Sequence, residues 1–263
     1  MAKARGLSAL EIAAVVFVAV ALTFVLTRHY TLKQAIELNA YHIRWPEMEV
    51  SPLRERYGPA RFSSGVEEWI IRDFFQDKRN GVFLDVGANH YRNTSNTYFL
   101  ESQLGWSGVA VDALEEFGPD YVTHRPRTKF FALFVSDVPG DTATLFVPAT
   151  NRQTASVSHD FTVKEGDPGR PRQVPTTTLN VLLEQQGIER LDLLSMDIEL
   201  AEPKALAGFD IRRYRPALVC IESHPDVRQQ ILDYFREADY QVIGKYLRMD
   251  PNNLYFRPPA AGE

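Results

Sequence analysis

Five groups in this chain share a placement that suits ligand chemistry. Each is an acid at or just past the end of a short apolar run rich in strand formers. GVFLDV (81–86) leads into Asp85-Val86-Gly87-Ala88-Asn89, and SGVAVDA (107–113) ends on Asp112. KFFALFVS (129–136) gives Ser136-Asp137, LDLLSMDIE (191–199) gives Asp197-Ile198-Glu199, and RPALVCIES (215–223) gives Glu222-Ser223-His224. Runs of this kind predict buried parallel strands, and an open parallel sheet binds ligands beyond the carboxyl ends of its strands. The five acids would then share one rim. A lone acid there caps a helix or faces solvent; five in register point to a ligand with hydroxyls and a positive centre. An acid after the second strand can accept two ribose hydroxyls. Gly87 and Ala88 would let the backbone approach the ligand. The chain has neither Gly-x-Gly-x-x-Gly nor a Gly-rich Lys-Ser/Thr loop, so a dinucleotide or a triphosphate is disfavoured. A nucleoside without phosphate asks less of the turn.

The segments between these runs have helical character, as the positioning of a parallel sheet requires. SNTYFLESQLG (95–105) and LNVLLEQQG (179–187) end on glycine, EPKALAGF (202–209) carries Pro203 in its first turn, and DVRQQILDYFREAD (226–239) is amphipathic. EEFGPDYVTH (115–124) is weakly helical, and FSSGVEEWIIRDFF (62–75) reads as a serine-capped amphipathic helix. DTATLFVPA (141–149) alternates like an edge strand, and YQVIGKYL (240–247) with NNLYFRP (252–258) suggests an antiparallel closing pair. Residues 150–175 form a long polar stretch with no predicted element, either a substrate-side loop or an unstructured insertion.

With 263 residues, 44% of them hydrophobic, the chain can bury one sizeable core. A net charge of −5 argues against a broad nucleic-acid surface. The single cysteine, Cys220, lies in an apolar run and reads as a small buried hydrophobe. Residues 12–26, IAAVVFVAVALTFVL, hold Thr23 as their only polar side chain. Extended to 7–27, a helix there would rise about 30 Å, enough to span a bilayer. A single-pass, uncleaved anchor is the expectation. A signal peptide cleaved after Ala19-Val20-Ala21 and a buried helix are its rivals, and the apolar LTFVL that follows counts against cleavage. The expected layout is a tail (1–6), an anchor (7–27), an irregular stem (28–60) and one α/β domain (61–263). Membrane localisation follows from the anchor. Orientation does not, because Lys3 and Arg5 on one side nearly balance Arg28 and Lys33 on the other.

FLDVGANHYRNTSNTYFLESQLGWSG, then VPTTTLNVLLEQQGIERLDLLSMDIELAEPKALAGF, then ALVCIESH, resemble in order and spacing the signature blocks of FkbM-type methyltransferases. The resemblance covers about 62–258 and implies a Rossmann-like, seven-stranded, mostly parallel sheet with helices on both faces, the class I methyltransferase arrangement. It also implies S-adenosylmethionine as cofactor and a hydroxyl on a small molecule, glycan or lipid as acceptor. Carried over by position, it places Asp85, Gly87, Ala88 and Asn89 in the first cofactor loop, Asp112 on the ribose, and Ser136 and Asp137 near the adenine. Asp197 and Glu199 would sit where cofactor and acceptor meet, with Glu222 and His224 on the acceptor side. Two positions depart from the family pattern. Tyr91 stands where a glycine or proline is usual, and Leu200 replaces the glycine of Asp-x-Glu-Gly-Ala-Glu. Both are expected to narrow the pocket.

For methyl transfer to a hydroxyl, His224 is the first candidate base, oriented by Glu222; Asp197 is the second and His90 the third. His159 would enter only with the long loop. A metal held by Asp197, Glu199, Glu222 and His224 is chemically open to these residues, but no spacing signature demands it and none is expected. Three functions compete: a membrane-anchored methyltransferase, a non-catalytic relative serving as a binding or scaffold protein, and a membrane-anchored sugar-nucleotide transferase. The last would need a diphosphate pocket and a metal.

Overall fold

The computed structural model describes residues 23–24 and 50–259. The predicted anchor and most of the stem lie outside the described residues. Among those described, no helix is long and apolar enough to cross a membrane.

Seven strands form the main sheet. They are β1 (Val82–Val86), β2 (Ser107–Asp112), β3 (Thr128–Ala132), β7 (Leu193–Met196), β8 (Leu218–Glu222), β9 (Gln241–Val242) and β10 (Asn253–Arg257), in the order β3-β2-β1-β7-β8-β10-β9. The first five are mutually parallel; β10 runs antiparallel to both β8 and β9. The chain therefore winds outward from β1 to β3 and returns on the other side of β1 at β7. Strand order reverses between β1 and β7, which is where open α/β sheets open a crevice.

Strict alternation explains why these strands read as unbroken apolar runs. Phe83, Leu193, Leu218 and Cys220 face one core, which holds Trp69 and Trp106; Leu84, Leu194, Val219 and Ile221 face the other. Both faces are thus dry. The first core is covered by α1 (Ser51–Tyr57), α2 (Glu67–Phe75) and α3 (Tyr98–Leu104). The second is covered by α6 (Leu179–Gln185), α7 (Glu202–Ala207), α8 (Ile211–Tyr214) and α9 (Arg228–Glu237). The helix α4 (Gly118–His124) follows a 3-10 turn at Glu115–Phe117 and packs on β3.

Several local expectations change. The stem is not irregular to residue 60: Pro52 starts α1, and Leu53 is buried beside Trp69. The domain's packing thus begins before residue 61. No side chain caps α2 at its N-cap residue, Val66; instead Ser63 Oγ accepts the Glu68 N–H. The run 129–136 is two strands, because the chain changes sheet at Leu133. After it, β4 (Phe134–Val135) pairs with β6 (Arg170–Thr177), and β5 (Thr142–Val147) pairs with the other edge of β6. Residues 150–175 are therefore neither a bare loop nor unstructured. They hold a 3-10 turn (Arg152–Thr154), α5 (His159–Lys164) and most of β6. The alternation in 170–177 is masked by Pro171 and Pro175, which this strand tolerates. The predicted strand 240–247 shortens to β9 and a 3-10 turn at Gly244–Tyr246.

Candidate active site

At the carboxyl ends of β1, β2 and β7 lies an open cleft with about 530 Å³ of empty space. Its floor is Gly87 and Asn89, its first wall Asp112 to Leu114, its second wall Asp197 to Glu199. Leu133, Phe134, Val135 and Leu145 make an apolar slot at one end. Arg152, Gln153 and Ala155, from the 150–155 segment, complete the lining.

The turn after β1 is built inward. Gly87 N–H and Ala88 N–H both donate to Val111 O, at 2.9 and 3.2 Å, and Asn89 N–H donates to Asp112 Oδ2 at 2.9 Å. Three successive amides are thus spent on the next strand and its terminal acid. None of the three is left for a phosphate, which is what a dinucleotide turn supplies. Gly87 has φ +77°, and a Cβ on it would stand 1.7 Å from Asp197 O. That glycine is what lets β1 and the Asp197 backbone touch.

Asp112 is half-buried, and burial pushes its carboxyl up to about 6, against the lowering effect of the N–H groups of Leu114 and Asn89. It is ionised at neutral pH. Each oxygen takes one backbone N–H, Leu114 at Oδ1 and Asn89 at Oδ2, so each keeps a lone pair for a ligand hydroxyl. Glu116 Oε1 and Oε2 bind Arg152 and Arg172 at 3.1 and 2.7 Å, and Gln153 Nε2 reaches Thr94 Oγ1 at 3.3 Å. The inserted sheet is pinned across the cleft by these contacts.

At the other end three acids converge. Met196 and Ile221 are register partners, so Asp197 and Glu222 leave adjacent strands side by side. With Glu199 they bring one carboxylate oxygen each to within 4.8 Å of the others. Burial and mutual repulsion push Glu222 to about 11 and Glu199 to about 9. Asp197 is raised too, chiefly by burial, although it is exposed to solvent and a hydrogen bond with Glu222 opposes the rise. All three carboxyls are thus held above the usual carboxylate range, chiefly by burial. The neighbouring Glu202 is fully buried and held near 7 by burial, eased by the Ile198 N–H that it accepts.

The remaining predicted site residues stand elsewhere. Asp85 is buried in the sheet, accepts from Thr97 Oγ1 at 2.6 Å and does not line the cleft. Ala88 is packed with Ala110 and Tyr121. Ser136 is buried and bonded to Asp137, and neither lines the cleft; the slot residues Leu133 to Val135 precede them. His224 lies edge-on to Phe161, and its Nδ1 faces Asp226 at 3.6 Å rather than Glu222. It is not among the cleft residues or the converging carboxylates. His90 Nδ1 accepts the Arg92 and Asn93 N–H groups, a local turn. His159 packs on Phe146.

The two departures do not narrow the cleft. Tyr91 stacks on His90 and His124, each 4.7 Å away, outside the lining. Leu200 has a left-handed backbone that glycine adopts most easily, with φ +77° after Glu199 at +53°, and its side chain packs on the second core. Ser156 Oγ donates to Glu199 O at 2.6 Å and holds this turn. Arg152, Gln153 and Glu202 are site residues that motif reasoning missed. The first two lay in a stretch without a predicted element. The third was visible only as the last letter of the acidic motif.

The sequence profile of the Methyltransferase FkbM domain matches residues 85–242. The chain belongs to the FkbM methyltransferase family. No curated protein matches it. Solved structures it resembles include precorrin-6y C5,15-methyltransferase from Geobacter metallireducens GS-15, at 9% identity and TM-score 0.42 over 72% of this chain and 84% of that one. A TehB-like SAM-dependent methyltransferase from Corynebacterium glutamicum ATCC 13032 Kitasato matches at 13% and 0.42, over 81% and 96%. An O-methyltransferase from Bacillus cereus, in complex with SAH, matches at 12% and 0.38, over 84% and 94%. S-adenosylmethionine is the cofactor of the FkbM family, and the cleft residues fit it. The lone pairs of Asp112 suit the ribose diol, the Leu133–Val135 slot suits adenine, and the carboxyl oxygens of Asp197 and Glu199 on the cleft wall suit a sulfonium.

Proposed function

We propose that this FkbM protein is an active S-adenosylmethionine-dependent O-methyltransferase, tethered to a membrane by residues 7–27. The observation that carries the cofactor reading is the spending of the Gly87, Ala88 and Asn89 amides on Val111 and Asp112. It leaves a turn suited to a nucleoside and unsuited to a pyrophosphate.

When bound, S-adenosylmethionine supplies the methyl carbon: an acceptor oxygen forms the C–O bond as the C–S bond breaks and its electrons return to sulfur. The protein's share is positioning and proton transfer. Asp112 holds the ribose, and the apolar slot excludes water from the adenine. Asp197, which lines the cleft, takes the acceptor's hydroxyl proton. This replaces His224, which stands outside the lining. A small-molecule, glycan or lipid hydroxyl is the acceptor class. A membrane tether suits an acceptor held near the bilayer.

Calorimetry of the full chain with S-adenosylmethionine tests the cofactor step. Binding of one cofactor per chain supports the reading. Binding of sugar nucleotides with divalent metal, and none of S-adenosylmethionine, would overturn it in favour of a glycosyl transfer. A well-folded chain that binds neither would be a non-catalytic relative. Microsomal or vesicle flotation of the full chain against residues 50–263 tests the tether.

A further inference from the structure

Past the ends of β7 and β8, Asp197, Glu199 and Glu222 bring three carboxylates together. The three oxygens of Asp197, Glu199 and Glu222 lie no more than 4.8 Å apart. Three points so spaced fit within a circle of radius about 2.8 Å, against roughly 2.3–2.6 Å for calcium–oxygen bonds and about 2.0–2.1 Å for magnesium. Small side-chain rotations close that difference.

A second observation concerns atoms rather than spacing. Glu222 Oε2 is shielded from solvent and has no hydrogen-bond partner among the described residues. The same holds for Oε2 of Glu202, whose side chain is fully buried; its charge bears on Asp197, Glu199 and Glu222 alike. Buried carboxylate oxygens without donors are costly unless a cation satisfies them.

We propose that Asp197, Glu199 and Glu222 ligate a divalent metal ion, with Glu202 adding negative charge behind them. The donors are oxygens alone, without sulfur or imidazole, so the ion is a hard one: Mg²⁺, Mn²⁺ or Ca²⁺. Asp197 and Glu199 line the cleft, which leaves coordination positions facing it. An acceptor hydroxyl bound there would lose its proton more readily. This consequence rests on the methyltransferase reading; the ion site itself does not.

The test is titration of the full chain with Mn²⁺, followed by electron paramagnetic resonance, with Mg²⁺ and Ca²⁺ as competitors. One Mn²⁺ per chain is expected, displaced by one or both competitors and weakened at least tenfold in Glu222→Gln and in Glu199→Gln. Circular dichroism and a cooperative melt show that each variant folds. If Glu222→Gln fails to fold, Glu199→Gln decides alone. No stoichiometric Mn²⁺ binding, or binding unchanged in the folded variants, overturns the proposal. S-adenosylmethionine binding measured on the same samples keeps the two readings apart. Cofactor without metal sinks only the ion site, and metal without cofactor sinks only the methyltransferase.

Discussion

Gly87 and Asp197 are in backbone contact: a methyl group on Gly87 would lie 1.7 Å from the Asp197 carbonyl oxygen. The contact joins the cofactor turn to the acceptor-side acids across the point where strand order reverses. It also fixes what Gly87 is for. The glycine was expected to admit a ligand; its first duty is to admit β7. Gly87→Ala combines this clash with a left-handed φ of +77°. It should cost more than about 3 kcal/mol of stability, measured by urea denaturation. A loss below about 1 kcal/mol would show that β1 and β7 can separate freely, and the description of the crevice would fail.

Asp112 offers one free lone pair per oxygen once Asn89 and Leu114 are served. Hydrogen bonds from ribose hydroxyls to a carboxylate are worth roughly 1.5–3 kcal/mol each. Asp112→Ala should therefore weaken S-adenosylmethionine binding at least tenfold by calorimetry, with a thermal melt confirming that the turn still folds. Affinity within about threefold of the original chain would place the ribose elsewhere.

The parallel sheet was legible because its strands are apolar on both faces, as in LDLLSM and ALVCIE, and helices with glycine stops separate them. The acids at strand ends were legible for the same reason: a strand boundary fixes where its next residue lies. Register then brings Asp197 beside Glu222, a neighbour relation no spacing in the chain displays. Side-chain direction was less legible. Asp85 pairs with Ala110 inside the ladder and turns into Thr97, whereas Asp112, two residues further along β2, reaches the cleft. Of the insert only β5 was legible, as the alternating run 141–149; prolines and charges in 150–175 hide its partner β6, which follows by a long connection.

Leu200 shows how a motif departure can mislead. The position keeps a φ of +77°, so the backbone still does what a glycine would do, at a strain of about 1–2 kcal/mol for a side chain there. Packing of the half-buried leucine on the second core offsets that strain. Leu200→Gly should leave S-adenosylmethionine affinity within about threefold, and stability within about 1 kcal/mol because the two effects oppose one another. A tenfold gain in affinity would mean that the leucine does obstruct the cleft.

Away from the cleft, Glu67 and Asp250 share a buried polar cluster with Asn253 and Tyr255. Burial first, and the Asp250 charge second, lift the Glu67 carboxyl to about 7. In the unfolded chain it titrates near 4.3. Between these values the folded state holds a proton that the unfolded state has lost. The contribution of Glu67 is therefore fully present below about pH 4 and is lost as pH rises through about 7, the reverse of a salt-bridged acid. The full difference amounts to roughly 3.5 kcal/mol, most of it falling between pH 5 and 7.5. Glu67→Gln removes the titrating group while keeping an oxygen for the Gly65 N–H. Urea unfolding at pH 5 and pH 7.5 should show the original chain losing about 2 kcal/mol more than this variant over that interval. Equal losses would mean that Glu67 is ionised throughout, and that the cluster holds its charge without a shared proton.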